Sequence, residues 1–321
     1  MRGSGKDHAP TDLVVIHPLD SEDAAMVATM RAEAGPTKGV PWGIESRRQF
    51  DALMESVLPR DDVTFEADTI GGVPGLWVHP SDWRSDEAIL HLHGGWFNFG
   101  SAKAFRHLVG HIAARSQARA FIPDYRLAPE HPFPLATDDV QVCYRGLIKR
   151  NVHRIALTGD SAGGNLALVL ASSISYEVGS TGSNLIGVAV LSPVTDLTLS
   201  GESYRTRADA DPFFTRTQVA EFVNSYLGGA NSKHPLASPL HARFTGIPPV
   251  RIHVGDDEVL LDDSRRYVER AAAAGVDARV DVWMGMPHGF AGSVGRLKAS
   301  AQALDAVGTF LVERRQAGIR P

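Results

Sequence analysis

The stretch RIALTGDSAGGNLALVL, residues 154–170, admits few folds. Ile155, Ala156 and Leu157 form a short apolar run of the kind a buried strand needs. Gly159-Asp160-Ser161-Ala162-Gly163 must then turn a sharp corner, because Asn165 to Leu170 continues in small and apolar residues suited to a helix. Glycine flanks the serine at the two positions where a Cβ would collide with neighbouring backbone. Such a corner projects the serine hydroxyl from its tip, beside helix N–H groups that lack partners and favour negative charge. G-x-S-x-G alone is short enough to arise by chance. The strand before it and the helix after it make it informative, and the three together suggest a reactive serine.

The chain is long enough to set this corner in a full sheet. Its 321 residues, 43% hydrophobic, can bury a large core, as one big domain or one domain with a lid. The formal net charge is -5, with both signs dispersed. No basic stripe argues for nucleic acid, and no lysine-rich amphipathic segment argues for a membrane surface. Cys143 is the single cysteine, which excludes an intrachain disulfide and a thiolate metal cluster. The first twelve residues, MRGSGKDHAPTD, read as disordered and lack the apolar core of a signal peptide. No apolar run reaches the length that spans a bilayer. A cytoplasmic location is the expectation.

Helical patterns are expected at Ala24–Ala34 and Ile44–Val57, separated by Gly35-Pro36, Gly39 and Pro41. The period then changes to strands. Val63–Thr69 and Gly75–Val78 alternate around Gly71-Gly72, and Ala88–His93 is an unbroken apolar run. From there strand and helix alternate. Helix Phe105–Arg115, strand Ala118–Pro123 and helix Leu135–Lys149 precede the corner, and strand Leu185–Leu191 follows it. Strand Val250–Val254, helix Asp262–Ala274, strand Ala278–Trp283 and helix Arg296–Arg315 complete the chain. An α/β fold is expected, with a mostly parallel eight-stranded sheet flanked by helices. The interval from Val194 to Pro249 breaks the alternation, with a single helical patch at Thr217–Tyr226, and is too long for an ordinary connection. It reads as an insertion that joins the N-terminal helices in a lid over the carboxyl ends of the strands. The expected division is 1–58 as N-terminal cap helices, 59–194 and 249–321 as the two parts of the core, and 195–248 as the cap insertion.

His93-Gly94-Gly95-Trp96 ends a strand, and consecutive glycines there let backbone N–H groups face a site unobstructed. His288 lies in Gly285-Met286-Pro287-His288-Gly289-Phe290, a loop after the last strand, from which an imidazole can reach a serine as general base. It is one of 13 histidines, and is preferred because the order nucleophile, acid, histidine demands one there. His253 is a poor rival inside an apolar strand. His91 and His93 are two apart in a strand, but no carboxylate or cysteine partner supports a metal pair. The acid falls in a loop with five carboxylates, Asp256, Asp257, Glu258, Asp262 and Asp263, among which chemistry alone does not choose. Asp262 and Asp263 suit an N-cap or first-turn role in the helix that follows.

Four blocks in order then make a resemblance specific. They are HGGW at 93–96, DYRLAPE at 124–130, GDSAGGNLA at 159–167, and the Glu258…His288 segment. Over roughly Val73 to Phe310 the chain resembles the hormone-sensitive-lipase family of bacterial esterases. The resemblance implies an α/β-hydrolase core with a helical cap, and carboxylic-ester hydrolysis without cofactor or metal. Two departures stand out. Trp96 occupies the place of the family's third glycine, so its N–H is retained while its indole must point away and narrow the acyl pocket. The family's D-x-L-x-D block falls on Glu258-Val259-Leu260-Leu261-Asp262, with Tyr267 on the downstream aromatic, which makes the acid a glutamate, with Asp257 as the alternative.

The expected site follows. Ser161 is the nucleophile, His288 the base and Glu258 its partner, with oxyanion donors among Gly94, Gly95, Trp96 and Ala162. Candidates for the pocket wall are Trp96, Phe97, Phe99, Phe213 and Phe214, with Asp160 beside the serine. A wall of this bulk favours short or medium acyl chains. Arg126 is expected to fix its loop through an ion pair. The expected partner is a small-molecule ester, with no nucleic acid and no membrane, and the resemblance permits a homodimer. Lactone or amide hydrolysis on the same residues is the alternative activity. A non-catalytic ligand receptor on the same fold is disfavoured by the retained histidine.

Overall fold

The computed structural model describes residues 13–178 and 184–317; the expectation of disorder over residues 1–12 lies outside this range. β1 is Val14–His17, followed by helices α1 (Ser21–Ala34) and α2 (Arg47–Glu55). Strands β2 (Val63–Ile70), β3 (Val73–Pro80) and β4 (Glu87–Leu92) lead to α3 (Ala102–Ser116), β5 (Ala120–Pro123) and α4 (Leu135–Lys149). The corner joins β6 (Arg154–Asp160) to α5 (Ala162–Val178), after which comes β7 (Leu185–Leu191). The long insertion holds a short helical turn, α6 (Ser203–Thr206), and α7 (Arg216–Leu227). β8 (Val250–Gly255), α8 (Leu261–Ala273), β9 (Ala278–Trp283) and α9 (Lys298–Ala317) complete the described chain.

The strands form one sheet in the order β1-β9-β8-β7-β6-β4-β5-β3-β2. Only β3 runs against its neighbours, pairing antiparallel with both β2 and β5. The crossover helices cover both faces. α3 and α9 pack on one face through Phe105, Ile112, Leu304 and Leu311, while α4, α5 and α8 close the other through Leu147, Leu166, Leu170 and Val268. Every residue of β4 is buried, which is why an unbroken apolar run forms a strand at this position.

The sheet has nine strands rather than the eight expected. The extra one, β1, lies on the edge beside β9, with Val14 and Ile16 turned to solvent, so its four residues present no buried alternation. It is held by pairing and by His17, which stacks on Trp283 at 3.9 Å and bonds Asp281 at 2.8 Å. The expected helix over residues 44–57 is also shorter, a 3₁₀ turn at Ile44–Ser46 leading into α2.

The N-terminal segment and the insertion are bonded to each other. Lys38 Nζ donates to Ala208 O at 2.6 Å, Gln218 Nε2 donates to Val40 O at 2.9 Å, and Arg31 reaches Ala210 O. α7 is delimited by the Thr215 side chain, which accepts the Gln218 N–H, and by Gly228 at φ +55°. The loop after β5 is fixed as expected. Arg126 clamps Asp139 with contacts of 2.7 and 2.9 Å, and Arg47 holds Glu130.

At the corner, a Cβ on Gly163 would overlap the carbonyl oxygens of Leu92 and His93, and one on Gly159 would sit 2.5 Å from Gly163 O. The start of α5 is thus pressed onto the end of β4 by backbone alone. Gly163→Ala is expected to destabilise the fold by at least about 2 kcal/mol, read as a lowered urea midpoint. A midpoint equal to wild type contradicts this packing.

Candidate active site

Ser161 sits at the corner with φ +53° and is 4% exposed. A left-handed backbone is costly for a residue with a Cβ and persists only where its surroundings hold it. Here the Ser161 N–H donates to Leu191 O at 2.8 Å, and its carbonyl accepts from Asn165 and Val194 at 3.1 and 3.2 Å.

Glu258 lies in the loop between β8 and α8 and is fully buried. Its Oε1 accepts from Ser192 Oγ and from the Gly255 N–H, each at 2.6 Å, and its Oε2 meets His288 Nδ1 at 2.7 Å. Burial pushes the His288 pKa down. The charge and hydrogen bond of Glu258, with the further charges of Asp211 and Asp160, outweigh it and hold the imidazole above its ordinary value. Asp160 is the residue before Ser161, so the corner and the histidine loop share one electrostatic environment. Asp257 points elsewhere and pairs with Arg31 of α1. Asp256 is held by Arg207, at 2.9 Å to its carboxylate and 2.7 Å to its carbonyl. Glu258, not Asp257, is the carboxylate that meets the histidine.

The turn after β4 is left-handed at three successive residues, Gly95 (φ +116°), Trp96 (φ +52°) and Phe97 (φ +63°). Asn98 Nδ2 braces the Trp96 carbonyl at 2.6 Å, and the Ala128 N–H braces that of Phe97 at 2.9 Å. His93 is buried, stacks on Tyr125 at 4.2 Å and places Nδ1 2.9 Å from Gly94 O, and burial lowers its pKa. Four expectations need correction. The Gly94 N–H donates to Asp160 Oδ1 at 3.0 Å, so Gly94 is not a free donor and Asp160 is a brace rather than pocket wall. Phe97 is turned inward and fully buried, stacked on Tyr226 at 3.7 Å. Phe99 likewise packs among Trp42, Phe50 and Phe222. The N–H groups of Gly95, Trp96 and Ala162 have no acceptor among the described residues.

Phe213 and Phe214 are partly exposed. The Phe214 ring meets His288 edge-on at 5.2 Å and Trp96 at 5.3 Å. Asp211 and Ser192 were not legible as site residues. A lone aspartate in a polar insertion and a serine after a strand carry no signal, and their partners, Val259 and Glu258, are distant in sequence. Asp262 and Asp263 lie in the first turn of α8 without capping it, and accept N–H groups from the insertion, Asp262 from Ser203 and Asp263 from Thr195 and Asp196. Among the described residues no group of three or more His, Cys, Asp or Glu is placed to hold a metal.

A serine at a strand–helix corner, a histidine backed by a carboxylate from the next loops, and free N–H groups after an upstream strand define the site of an α/β hydrolase. The comparisons agree. A family profile described as alpha/beta hydrolase fold matches residues 89–292. An acetyl-hydrolase of Streptomyces hygroscopicus is 34% identical over 277 residues, which cover 84% of this chain and 89% of the relative. The crystal structure of an esterase from the bacterial hormone-sensitive lipase family superposes with a TM-score of 0.84 at 36% identity, over 92% of this chain and 99% of that one. The crystal structure of EstE5 soaked with p-nitrophenyl butyrate gives 0.85 at 36% identity, over the same shares. The chain belongs to the α/β-hydrolase-fold family, among the hormone-sensitive-lipase-like esterases.

Burial lifts the Asp263 carboxyl to about 7, against the N–H groups that favour its ionised form. Because the folded pKa exceeds the unfolded one, native stability declines from this group as pH rises from 4 toward 7, by up to about 1.4 kcal/mol per pH unit. Asp263→Asn is expected to remove that slope in urea titrations at pH 5, 6 and 7. Parallel slopes in the two proteins contradict it.

Proposed function

We propose that this protein is a serine carboxylesterase acting on short- to medium-chain esters, with Ser161, His288 and Glu258 as its catalytic residues. The observation that carries the reading is the buried Glu258–His288 contact at 2.7 Å, made by the two loops that follow β8 and β9 at the same sheet end as the serine corner. Ser161 Oγ attacks the ester carbonyl as His288 takes its proton through Nε2, with Nδ1–H held by Glu258 in the required tautomer. The tetrahedral oxyanion is received by the N–H groups of Gly95, Trp96 and Ala162. One such donor is typically worth about 3–4 kcal/mol, because it is fixed before charge develops. The imidazolium then protonates the leaving alcohol, and water enters by the reverse sequence to release the acid. The relatives named acetyl-hydrolase and esterase support this chemistry. The ring of Phe214 beside His288, with Trp96 packed against it, supports small acyl groups. The N-terminal helices and the 195–248 insertion, bonded to each other, act as the cap.

Ser161→Ala is expected to lower kcat on p-nitrophenyl butyrate by roughly four to six orders of magnitude while remaining folded. Glu258→Gln is expected to cost about 10³-fold or more, and Asp257→Asn less than about tenfold. The reverse ranking overturns the assignment of the acid. Only neutral His288 accepts a proton, so kcat/KM falls as pH drops through its pKa, and that limb lies above the ordinary histidine value of about 6.5. In Glu258→Gln the limb moves to lower pH; a limb that does not move contradicts the electrostatic account.

A further inference from the structure

Asp211 belongs to the insertion, yet its side chain is fully buried beside the site. One oxygen, Oδ1, accepts the N–H groups of Phe213 and Phe214 at 2.8 and 2.9 Å. The other, Oδ2, accepts the N–H of Val259 at 2.9 Å, and Val259 directly follows Glu258. The Asp211 N–H donates to Arg207 O at 2.8 Å, and Arg207 in turn holds Asp256. A single carboxylate thus fastens two neighbouring aromatics of the cap to the loop that carries the acid. The cost of burying it is visible in its pKa, raised by desolvation against the three N–H donors.

Phe214 occupies a particular place as a result. Its ring touches the ring of His288 and also that of Trp96, whose N–H is a proposed oxyanion donor. Trp96 is itself backed by Phe222 of α7 at 6.0 Å, so it cannot retreat freely. The Phe214 side chain packs against the core yet stays partly exposed, unlike the fully buried Phe97. We propose that Phe214, held by the Asp211 turn, is the residue that sets acyl-chain length, and that Asp211 is a positioning residue acting through it. This rests on the esterase reading above and assigns the substrate class of the same site. The turn matters because an aromatic side chain defines a boundary only if its backbone is fixed. Asp211 supplies that through an Asx-type turn, which an asparagine can also make and an alanine cannot.

The test compares kcat/KM for p-nitrophenyl acetate, butyrate and octanoate in wild type, Phe214→Ala, Asp211→Ala and Asp211→Asn. Phe214→Ala is expected to raise the octanoate-to-acetate ratio by about tenfold or more, since single methylenes in an apolar pocket are worth about that much. Asp211→Ala is expected to shift the ratio the same way. Asp211→Asn, which retains an acceptor for the Phe213 and Phe214 N–H groups but not for Val259, is expected to keep the ratio within about threefold of wild type. A merely structural role for Asp211 would lower all rates together and leave the ratio unmoved. An unchanged ratio in Phe214→Ala overturns the proposal, even if neither Asp211 variant folds. Equal shifts in the alanine and asparagine variants overturn the role of the turn. Failure of the esterase reading has a different signature, namely wild type that hydrolyses none of the three esters.

Discussion

A carboxylate with no solvent contact is tolerated only where donors surround it, and Glu258 is such a group. Its two oxygens take a serine hydroxyl, a backbone N–H and the imidazole of His288. These partners come from the ends of three adjacent strands, β7, β8 and β9, whose parallel register brings Leu191, Gly255 and Trp283 to one end of the sheet. Remove any one and a buried charge loses part of its solvation, at a typical cost of about 1–3 kcal/mol per lost bond. The site is therefore as rigid as the sheet end on which it stands. The same charge, now desolvated, acts on the histidine with little screening, which is why the imidazole is held above its ordinary pKa despite its own burial.

The second constraint is steric. β4 and β6 are neighbours, with Leu92 opposite Gly159, so the turn after one and the corner after the other emerge side by side. Gly163 fits only because it lacks a side chain, and Asp160 spans the gap to hold the Gly94 N–H. Gly95, Trp96 and Phe97 in one turn and Ser161 in the other have φ values in the left-handed region. Braces from Asn98, Ala128, Leu191 and Val194 keep Ser161, Trp96 and Phe97 in them. These positive φ values are held before any substrate arrives, and positions fixed in advance are what the proposed acyl transfer needs.

Much of this was legible in the amino-acid sequence, and the rest was not for identifiable reasons. β4 and β7 read correctly because strands buried on both faces leave unbroken apolar runs, and the corner read correctly because both its flanks have strong patterns. β1 was missed since Val14 and Ile16 face solvent and its stability comes from β9 and Trp283, far away in sequence. Phe97 looked like pocket wall because it adjoins the glycine turn, but its left-handed backbone sends the ring into the core. Gly94 looked like a donor to substrate because nothing local reveals that Asp160 takes its N–H. Among Asp256, Asp257 and Glu258 the chemistry is alike. The choice depends on which carboxylate the turn aims at His288 and which meet Arg207 and Arg31, and those arginines come from the insertion and from α1.

The central proposal is that Ser161 is made nucleophilic by His288. Intact-mass and peptide mass spectrometry after exposure to a fluorophosphonate tests it most directly, since the reagent reacts with an activated serine and leaves a stable adduct. The account predicts one adduct per chain, on Ser161, and loss of labelling in His288→Ala. An adduct on another residue, or undiminished labelling without the imidazole, would contradict it.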